Sequence, residues 1–367
     1  MGSSAPNPFI EHRQHLDIHH YALARGLTDR AFVELVTETD ERVRATDGVG
    51  FVETPLIELE TAVASDRGAP RVVAKVETGA VGGSHKARHL FGLILHLLVT
   101  EATDPARSTW GPGVGEAGSG QPELAIASCG NAALGAAVVA RATGRALRVF
   151  VPTTANPVVL DRLDRLGALV TQCPRTPTTV GDPCVAALDD AVARGARPFT
   201  VQGPRCPEAI DGCRTMGLEL GAQLDEAGLT PGAIYVQIGG GALATAVMDG
   251  LVRAWPRRDL PRLHPVQAAT AHPYVAGWRR VARAVLGDDD PGRGATDRER
   301  ATRMSHRLGG ALDGADAGRV RAELVRHGEL IAPWPETPHS VASGILDDVT
   351  YDWLTVAVHQ TATGGWP

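Results

Sequence analysis

With 367 residues, 43% of them hydrophobic and 21% charged, the chain has the composition of an ordinary globular protein and the length for a sizeable core in two domains. A net charge of −6 argues against nucleic acid or an anionic membrane as the partner, and no apolar run approaches a membrane span. The start Met1-Gly-Ser-Ser-Ala-Pro-Asn-Pro lacks a signal-peptide core, Pro6 breaks a myristoylation pattern, and five cysteines without a CxxC pair read as free thiols, so a cytoplasmic protein is expected.

Residues 1–50 read as a helical N-terminal arm, with helical spacing from Leu27 to Val43 behind a Thr28 cap. His12, His15, His19 and His20 fall in this arm. No carboxylate or cysteine spacing makes them a metal site, and a solvated arm is expected. Thr54-Pro-Leu56 opens the core, Arg71–Glu77 reads as a buried strand, Gly79–Gly83 as a turn and Ala87–Thr100 as an apolar helix. Residues 103–122 are glycine-dense, but no strand leads in and no helix follows, so they read as a surface loop and not a nucleotide cradle. Strands are expected at Glu123–Ser128, Arg148–Pro152 and Gly167–Gln172, with helices at Cys129–Ala140, Asn156–Leu166 and Val185–Arg194. A second series has a helix at Glu208–Ala227, a strand at Ala233–Ile238, a glycine turn, a helix at Ala244–Trp255 and a strand at Leu263–Ala269. Alternation of this kind is the mark of open parallel α/β sheets flanked by helices. Residues 287–318, charged and rich in Gly and Asp, read as a loose excursion.

Only two lysines occur, Lys75 and Lys86; arginine supplies every other strong positive charge. Arginine can replace lysine wherever a permanent charge suffices, but not where a neutral primary amine must attack a carbonyl or carry a proton. Lys86, delivered by a glycine turn onto the start of an apolar helix, is therefore a candidate for amine chemistry, with a leftover surface lysine as the plainer alternative. Two further turns follow predicted strands, where open α/β sheets bind ligands. In Ser128-Cys-Gly-Asn131-Ala, the serine, the amides around Gly130 and the Asn131 side chain could hold a carboxylate or a phenolic oxygen, or simply cap a helix. In Gly239-Gly-Gly-Ala-Leu243, successive N–H groups and a helix N-terminus could hold one anion. Neither dinucleotide nor P-loop spacing is present: GxGxxG is missing, and His85 stands where a P-loop needs its second glycine. An amine, an amide cap and a cradle for one phosphate together point to pyridoxal phosphate.

Gly83-Ser-His-Lys86, Ser-Cys-Gly-Asn131-Ala and Gly239-Gly-Gly-Ala-Leu243, in this order and spacing, resemble the fold-type II pyridoxal-phosphate enzymes, the group of threonine synthase, serine/threonine dehydratases, cysteine synthase and the tryptophan synthase β subunit. The resemblance runs from about Thr54 to the C-terminus and is specific to the superfamily rather than to one activity; Thr54-Pro-Leu56 and Lys75-Val-Glu77 match its entry motifs, which makes Lys75 structural. It implies two open twisted sheets with pyridoxal 5′-phosphate at the domain interface, a larger cofactor-binding domain from 51–89 and 178–367, a smaller inserted α/β domain at 90–177, and a homodimer. It further implies that Lys86 forms the Schiff base, that Asn131 bonds the ring hydroxyl, that Gly239, Gly240, Gly241, Ala242 and Leu243 hold the phosphate, and that Ser128, Cys129, Gly130, Asn131 and Ala132 receive the substrate carboxylate.

The chain departs from the family at three places. Cys129 stands where dehydratase-like members often carry serine; its thiol could act as acid or base or merely pack, and packing is the favoured expectation. Thr270 stands where some dehydratase-like members have an acidic metal ligand, so no metal is expected. After Pro338-His-Ser-Val-Ala-Ser-Gly-Ile345 the family continues with a helix, a turn and a last strand that usually carry the partner of the pyridine nitrogen. Thr361-Ala-Thr-Gly-Gly365 substitutes poorly for them, and a truncated chain is expected. The expected activity is β-elimination on a small β-substituted amino acid through an aminoacrylate, because Gly-Gly-Gly-Ala-Leu resembles the dehydratase phosphate loop. His85, as in the tryptophan synthase β subunit, keeps a β- or γ-replacement synthase open, and a catalytically degenerate binding protein is the third alternative.

Overall fold

The computed structural model describes residues 6–60, 71–104, 121–176, 182–292, 294–308, 314–334 and 340–367. Most of the expected 103–122 loop, and Pro338-His339 of the C-terminal motif, therefore lie outside the described residues. The chain forms two compact units, residues 1–201 with 205–223, and residues 202–204 with 224–367. These boundaries differ from the division that the family resemblance implies.

The first unit begins with helices α1 (Pro8–Glu11), α2 (Asp17–Ala24) and α3 (Asp29–Asp47). They are not a solvated arm. Phe9 is fully buried and meets Phe51 and Phe91 edge-on, with ring centroids 5.3 and 4.8 Å away. α2 lacks a cap of its own, and Asp211, from a helix nearly two hundred residues later, accepts the N–H groups of Asp17 (2.9 Å) and Ile18 (2.8 Å). His19 is buried with Nε2 2.9 Å from Asp29. Periodicity found the helices but could not reveal the distant aromatic and carboxylate partners that bury them.

β1 (Leu56–Glu58) and β2 (Val73–Lys75) form a short antiparallel ladder. The expected buried strand at 71–77 is in fact three residues long and half-buried, because its only sheet partner among the described residues is β1. α4 (Lys86–Thr103) then leads to the main sheet: β3 (Leu124–Ala127), α5 (Asn131–Ala142), β4 (Leu147–Pro152), α6 (Pro157–Arg165), β5 (Leu169–Cys173), α7 (Pro183–Ala193) and β6 (Arg197–Pro198). The four strands are parallel in the order β5-β4-β3-β6. β6, only two residues and one of them proline, carries no sequence signal. Strand order reverses at β3, whose neighbours β4 and β6 are reached in opposite directions. Ligands of open α/β sheets bind at such a reversal, and Ser128–Asn131 follows β3 there.

α8 (Pro207–Glu226) crosses α4 with almost no side chain between the two. A Cβ added to Gly92 would collide with the backbone of Gly212, and one added to Gly212 would collide with the carbonyl oxygen of Arg88. Only glycine at both positions allows this approach.

In the second unit, β7 (Ala233–Gln237), α9 (Ala242–Ala254) and β8 (Arg262–Val266) form a parallel β-α-β unit, followed by α10 (Pro273–Leu286), α11 (Asp297–Leu308), α12 (Gly314–Val325) and α13 (Trp353–Thr363). The expected loose excursion at 287–318 instead carries α11 and the start of α12. Its charges are spent locally: Thr296 and Glu299 cap one another's N–H groups, and buried Arg300 bonds Asp290 and the carbonyls of Gly292 and Ala295. The capping-box pattern Thr-x-x-Glu was the available signal. A helix, α13, does follow the Ser-Gly-Ile345 motif; it packs on β8 and α9, and Tyr274 donates to Gln360 across its buried face (2.7 Å).

Gly212→Ala should destabilise the fold by about 3 kcal/mol, the upper range for forcing a methyl into a filled site. Urea unfolding of the variant tests this; a midpoint equal to that of the parent protein would mean that α4 and α8 separate at little cost.

Candidate active site

Lys86 is the first residue of α4, and its own N–H donates to the Ser84 hydroxyl (3.3 Å). The preceding turn is pinned by Asp47, which accepts the N–H of Gly82 (2.8 Å) and also bonds Arg162 (2.8 Å). The turn lies on α5. A Cβ at Gly82 would stand 3.3 Å from the Cα of Gly135, and one at Gly135 would stand 3.1 Å from the Cα of Ala87. Gly135 is one turn beyond Asn131, so the first turns of α4 and α5 pack together, and Lys86 and Asn131, apart in sequence, head neighbouring helices.

A buried ionic cluster lies beneath this junction. Arg88, 1% exposed, bonds Glu77 (Nε to Oε2, 2.9 Å), Glu219 (Nη1 to Oε1, 2.5 Å) and the Thr215 hydroxyl (3.1 Å). Lys75 donates to Glu219 (2.6 Å), Gln223 (2.9 Å) and the carbonyl of Thr54 (2.7 Å), and the Thr54 hydroxyl donates to Glu77. Two cations meet two anions with their hydrogen bonds filled, the condition under which buried charge is tolerated. Burial opposes the charge on Glu219, but Arg88 and Lys75 outweigh it and hold the carboxyl below its usual range. Burial lowers the ammonium of Lys75, against the pull of Glu219. Lys75 is thus a structural cation, as expected, and Lys86 is the lysine outside the cluster. The cluster itself was missed from sequence, because Glu219 gives no sign of which cation it will meet.

Two imidazoles flank Lys86. Burial, reinforced by the charge of Lys86, pushes His89 down to about 3 and His85 well below its usual value, so both are neutral near pH 7. His89 uses Nδ1 on the carbonyl of Ala209 (2.9 Å), and Nε2 of each ring is buried with no partner among the described residues.

The Ser128–Ala132 loop continues β3. Ser128 N–H still donates to Phe150 across the sheet (3.2 Å), and its hydroxyl sits 3.5 Å from the N–H of Gly130. α5 then begins on Gly130 with no side-chain cap, and no backbone carbonyl among the described residues takes the N–H of Asn131, Ala132 or Ala133. Asn131 and Cys129 are exposed and Ala132 is buried. The expectation that Cys129 packs is corrected: its thiol lies at the surface of the loop, whereas burial pushes Cys206 to about 11 and Cys213 to about 12, leaving those thiols inert.

Gly239–Leu243 belongs to the second unit. It joins β7 to α9, with Gly241 at φ +98°, a left-handed conformation that favours glycine. α9 has no cap on Gly241, and no backbone carbonyl among the described residues takes the N–H of Gly239, Gly240, Gly241, Ala242 or Leu243. The Thr245 hydroxyl, in the first turn of α9, is buried without a partner among the described residues, and the sequence reading had overlooked it. Among the described residues no three His, Cys, Asp or Glu side chains converge on a metal position, and no helix is long and apolar enough to cross a membrane.

Parallel α/β units whose strand ends carry uncapped helix N-termini define a class of anion-binding enzymes. Residues 49–331 match the family model of pyridoxal-phosphate-dependent enzymes, and the chain belongs to that family. The biosynthetic L-threonine dehydratase of Corynebacterium glutamicum is 27% identical over 150 residues, which are 40% of this chain and 33% of that protein. Diaminopropionate ammonia-lyase of Escherichia coli, in complex with an aminoacrylate-pyridoxal phosphate azomethine intermediate, superposes with a TM-score of 0.51 at 20% identity, over 68% of this chain and 62% of that one. Processed threonine deaminase isoform 2 of Solanum lycopersicum gives 0.47 at 20% identity, over 70% and 64%. The fold is that of the fold-type II pyridoxal-phosphate enzymes. The chain spans about a third of the curated relative that it matches.

Neutral buried His89 has a measurable consequence. Its folded value is about 3 and its unfolded value is 6.5, so between these the unfolded chain binds the extra proton. Stability is full above the unfolded value and falls with pH below it, by about 2 kcal/mol at pH 5. Urea unfolding at pH 7 and pH 5 should show this extra loss in the parent protein and not in His89→Gln; equal losses would mean that the ring reaches water.

Proposed function

We propose that the protein catalyses β-elimination on a small β-substituted amino acid, releasing ammonia, with pyridoxal phosphate attached at Lys86. The observation that carries the reading is the packing of the Lys86 turn on α5 through Gly82, Ala87 and Gly135, which brings the start of α4, headed by Lys86, against the first turns of a helix with an uncapped N-terminus. The residues present fit the cofactor. An anion at Gly239–Leu243 would gain N–H groups that no described backbone carbonyl takes, and Thr245 adds an orphaned hydroxyl. When bound, pyridoxal phosphate supplies the electron sink that makes an amino acid's α-hydrogen acidic.

The chain's own residues divide the remaining work. Gly239, Gly240, Gly241, Ala242 and Leu243 hold the phosphate, and the Asn131 amide bonds the ring hydroxyl. The N–H groups of Ser128–Ala132 and the dipole of α5 bind the substrate carboxylate. Neutral His85 and His89 put no second positive charge beside Lys86, whose amine is the base that takes the α-proton. The exposed Cys129 thiol is within the same loop and is a candidate to protonate the leaving group. A division into a cofactor-binding domain (51–89 with 178–367) and an inserted domain (90–177), a homodimer and a cytoplasmic location complete the proposal. The free cysteines agree with a reducing compartment.

Purified protein supplied with pyridoxal phosphate should be yellow, and borohydride should fix the cofactor on Lys86, found by peptide mass. A protein that takes up no label at this residue would overturn the reading. Lys86→Ala should lower turnover about 10³-fold or more. An amino-acid screen should yield keto acid and ammonia without a second nucleophile; turnover only with an added thiol or amine would favour a replacement synthase.

A further inference from the structure

The glycine turn of the second unit is covered on one side by its own chain. The N–H of Asp352 donates to the carbonyl of Gly240 (2.8 Å), tying residues 345–352 across the turn. The Tyr351 ring stands 3.1 Å from where a Cβ would lie on Gly240, and Thr350, Asp352 and Val356 come within 3.4 Å of one on Gly241. Of the two aspartates in this layer, Asp352 meets the turn through its Cβ and turns its carboxylate to the N–H of Gly203, whereas Asp347 meets the turn with its carboxylate. Oδ2 of Asp347 is 2.5 Å from the Cβ position of Gly239 and 3.4 Å from that of Gly240.

A carboxylate here is favoured by the same features that would favour a phosphate. α9 begins without a cap, its N-terminal dipole attracts negative charge, and the N–H groups of residues 239–243 are not taken by described backbone carbonyls. The two anions cannot share those features without repulsion, because like charges a few ångströms apart at a partly dry turn are poorly screened. We propose that the Asp347 carboxylate, held against Gly239 and Gly240, is a built-in competitor for a phosphate monoester at this turn. The cradle therefore binds phosphate more weakly than its N–H groups alone would allow, and entry of the cofactor displaces the carboxylate. This rests on the reading of Gly239–Leu243 as the phosphate cradle.

The test compares the full chain with Asp347→Asn, which keeps the shape and removes the charge, and with Asp347→Ser should the first fold poorly. Three probes are titrated: pyridoxal 5′-phosphate, pyridoxal, which lacks the phosphate, and inorganic phosphate. The variant should bind pyridoxal phosphate and inorganic phosphate about tenfold more tightly, and pyridoxal about equally. Unchanged or weaker binding of both phosphate probes overturns the proposal, and so does an equal gain for pyridoxal. Tighter inorganic phosphate in the variant, with no borohydride label on Lys86 in either protein, would uphold Asp347 as competitor while sinking the proposed function.

Discussion

Arg88 carries a permanent charge where water does not reach, and the first unit is built around the need to satisfy it. Glu77, Glu219, Thr215 and Thr54 do so at hydrogen-bond distance, and Lys75 balances the second carboxylate. The cluster can close only because α4 and α8 touch backbone to backbone at Gly92 and Gly212. A charged quartet of this kind adds little net stability compared with an apolar core, but it tolerates only one arrangement of its members. Since Arg88 lies two residues beyond Lys86, the arrangement of the quartet also fixes where the α4 N-terminus, and with it the amine, can be.

Three kinds of helix N-terminus occur. α3, α6 and α7 are capped by their own Thr28, Asn156 and Asp182. α2 and α10 lack a local cap and borrow Asp211 and Gln267 from elsewhere in the chain. α5 and α9 instead begin on glycine, each directly after a parallel strand. Leaving these two ends without a local cap costs stability, and it leaves positive potential at the carboxyl ends of the strands. That is the chemistry expected of sites for a carboxylate and a phosphate, and it is why the proposed function rests on backbone geometry as much as on side chains.

Much of this was legible in the residues alone. The β-α alternation from Glu123 to Gln172, the turn at Gly239–Leu243 and the singular position of Lys86 follow from short-range rules of periodicity, turn chemistry and the difference between an amine and a guanidinium. Errors came where exposure was read from composition and the folded chain decided it otherwise. The N-terminal arm read as solvated because nothing nearby announces the Phe51 and Phe91 that meet Phe9, or the Asp211 that caps α2. Residues 287–318 read as loose because their arginines and aspartates look solvent-facing until Arg300 is seen bonded to Asp290. Cys129 read as a packing residue, whereas the turn exposes it.

By itself the sequence determined the class of fold and singled out the three turns on which the proposed function rests, since each depends on residues within a few positions of one another. Only the tertiary structure decided that Lys75 is an ion-pair partner and that Lys86, among the described residues, is not, that the Lys86 turn rests on the first turns of α5, and that Asp347 lies against the glycine turn. These facts depend on contacts between segments far apart in the chain, where charge, burial and close backbone approach select the partner.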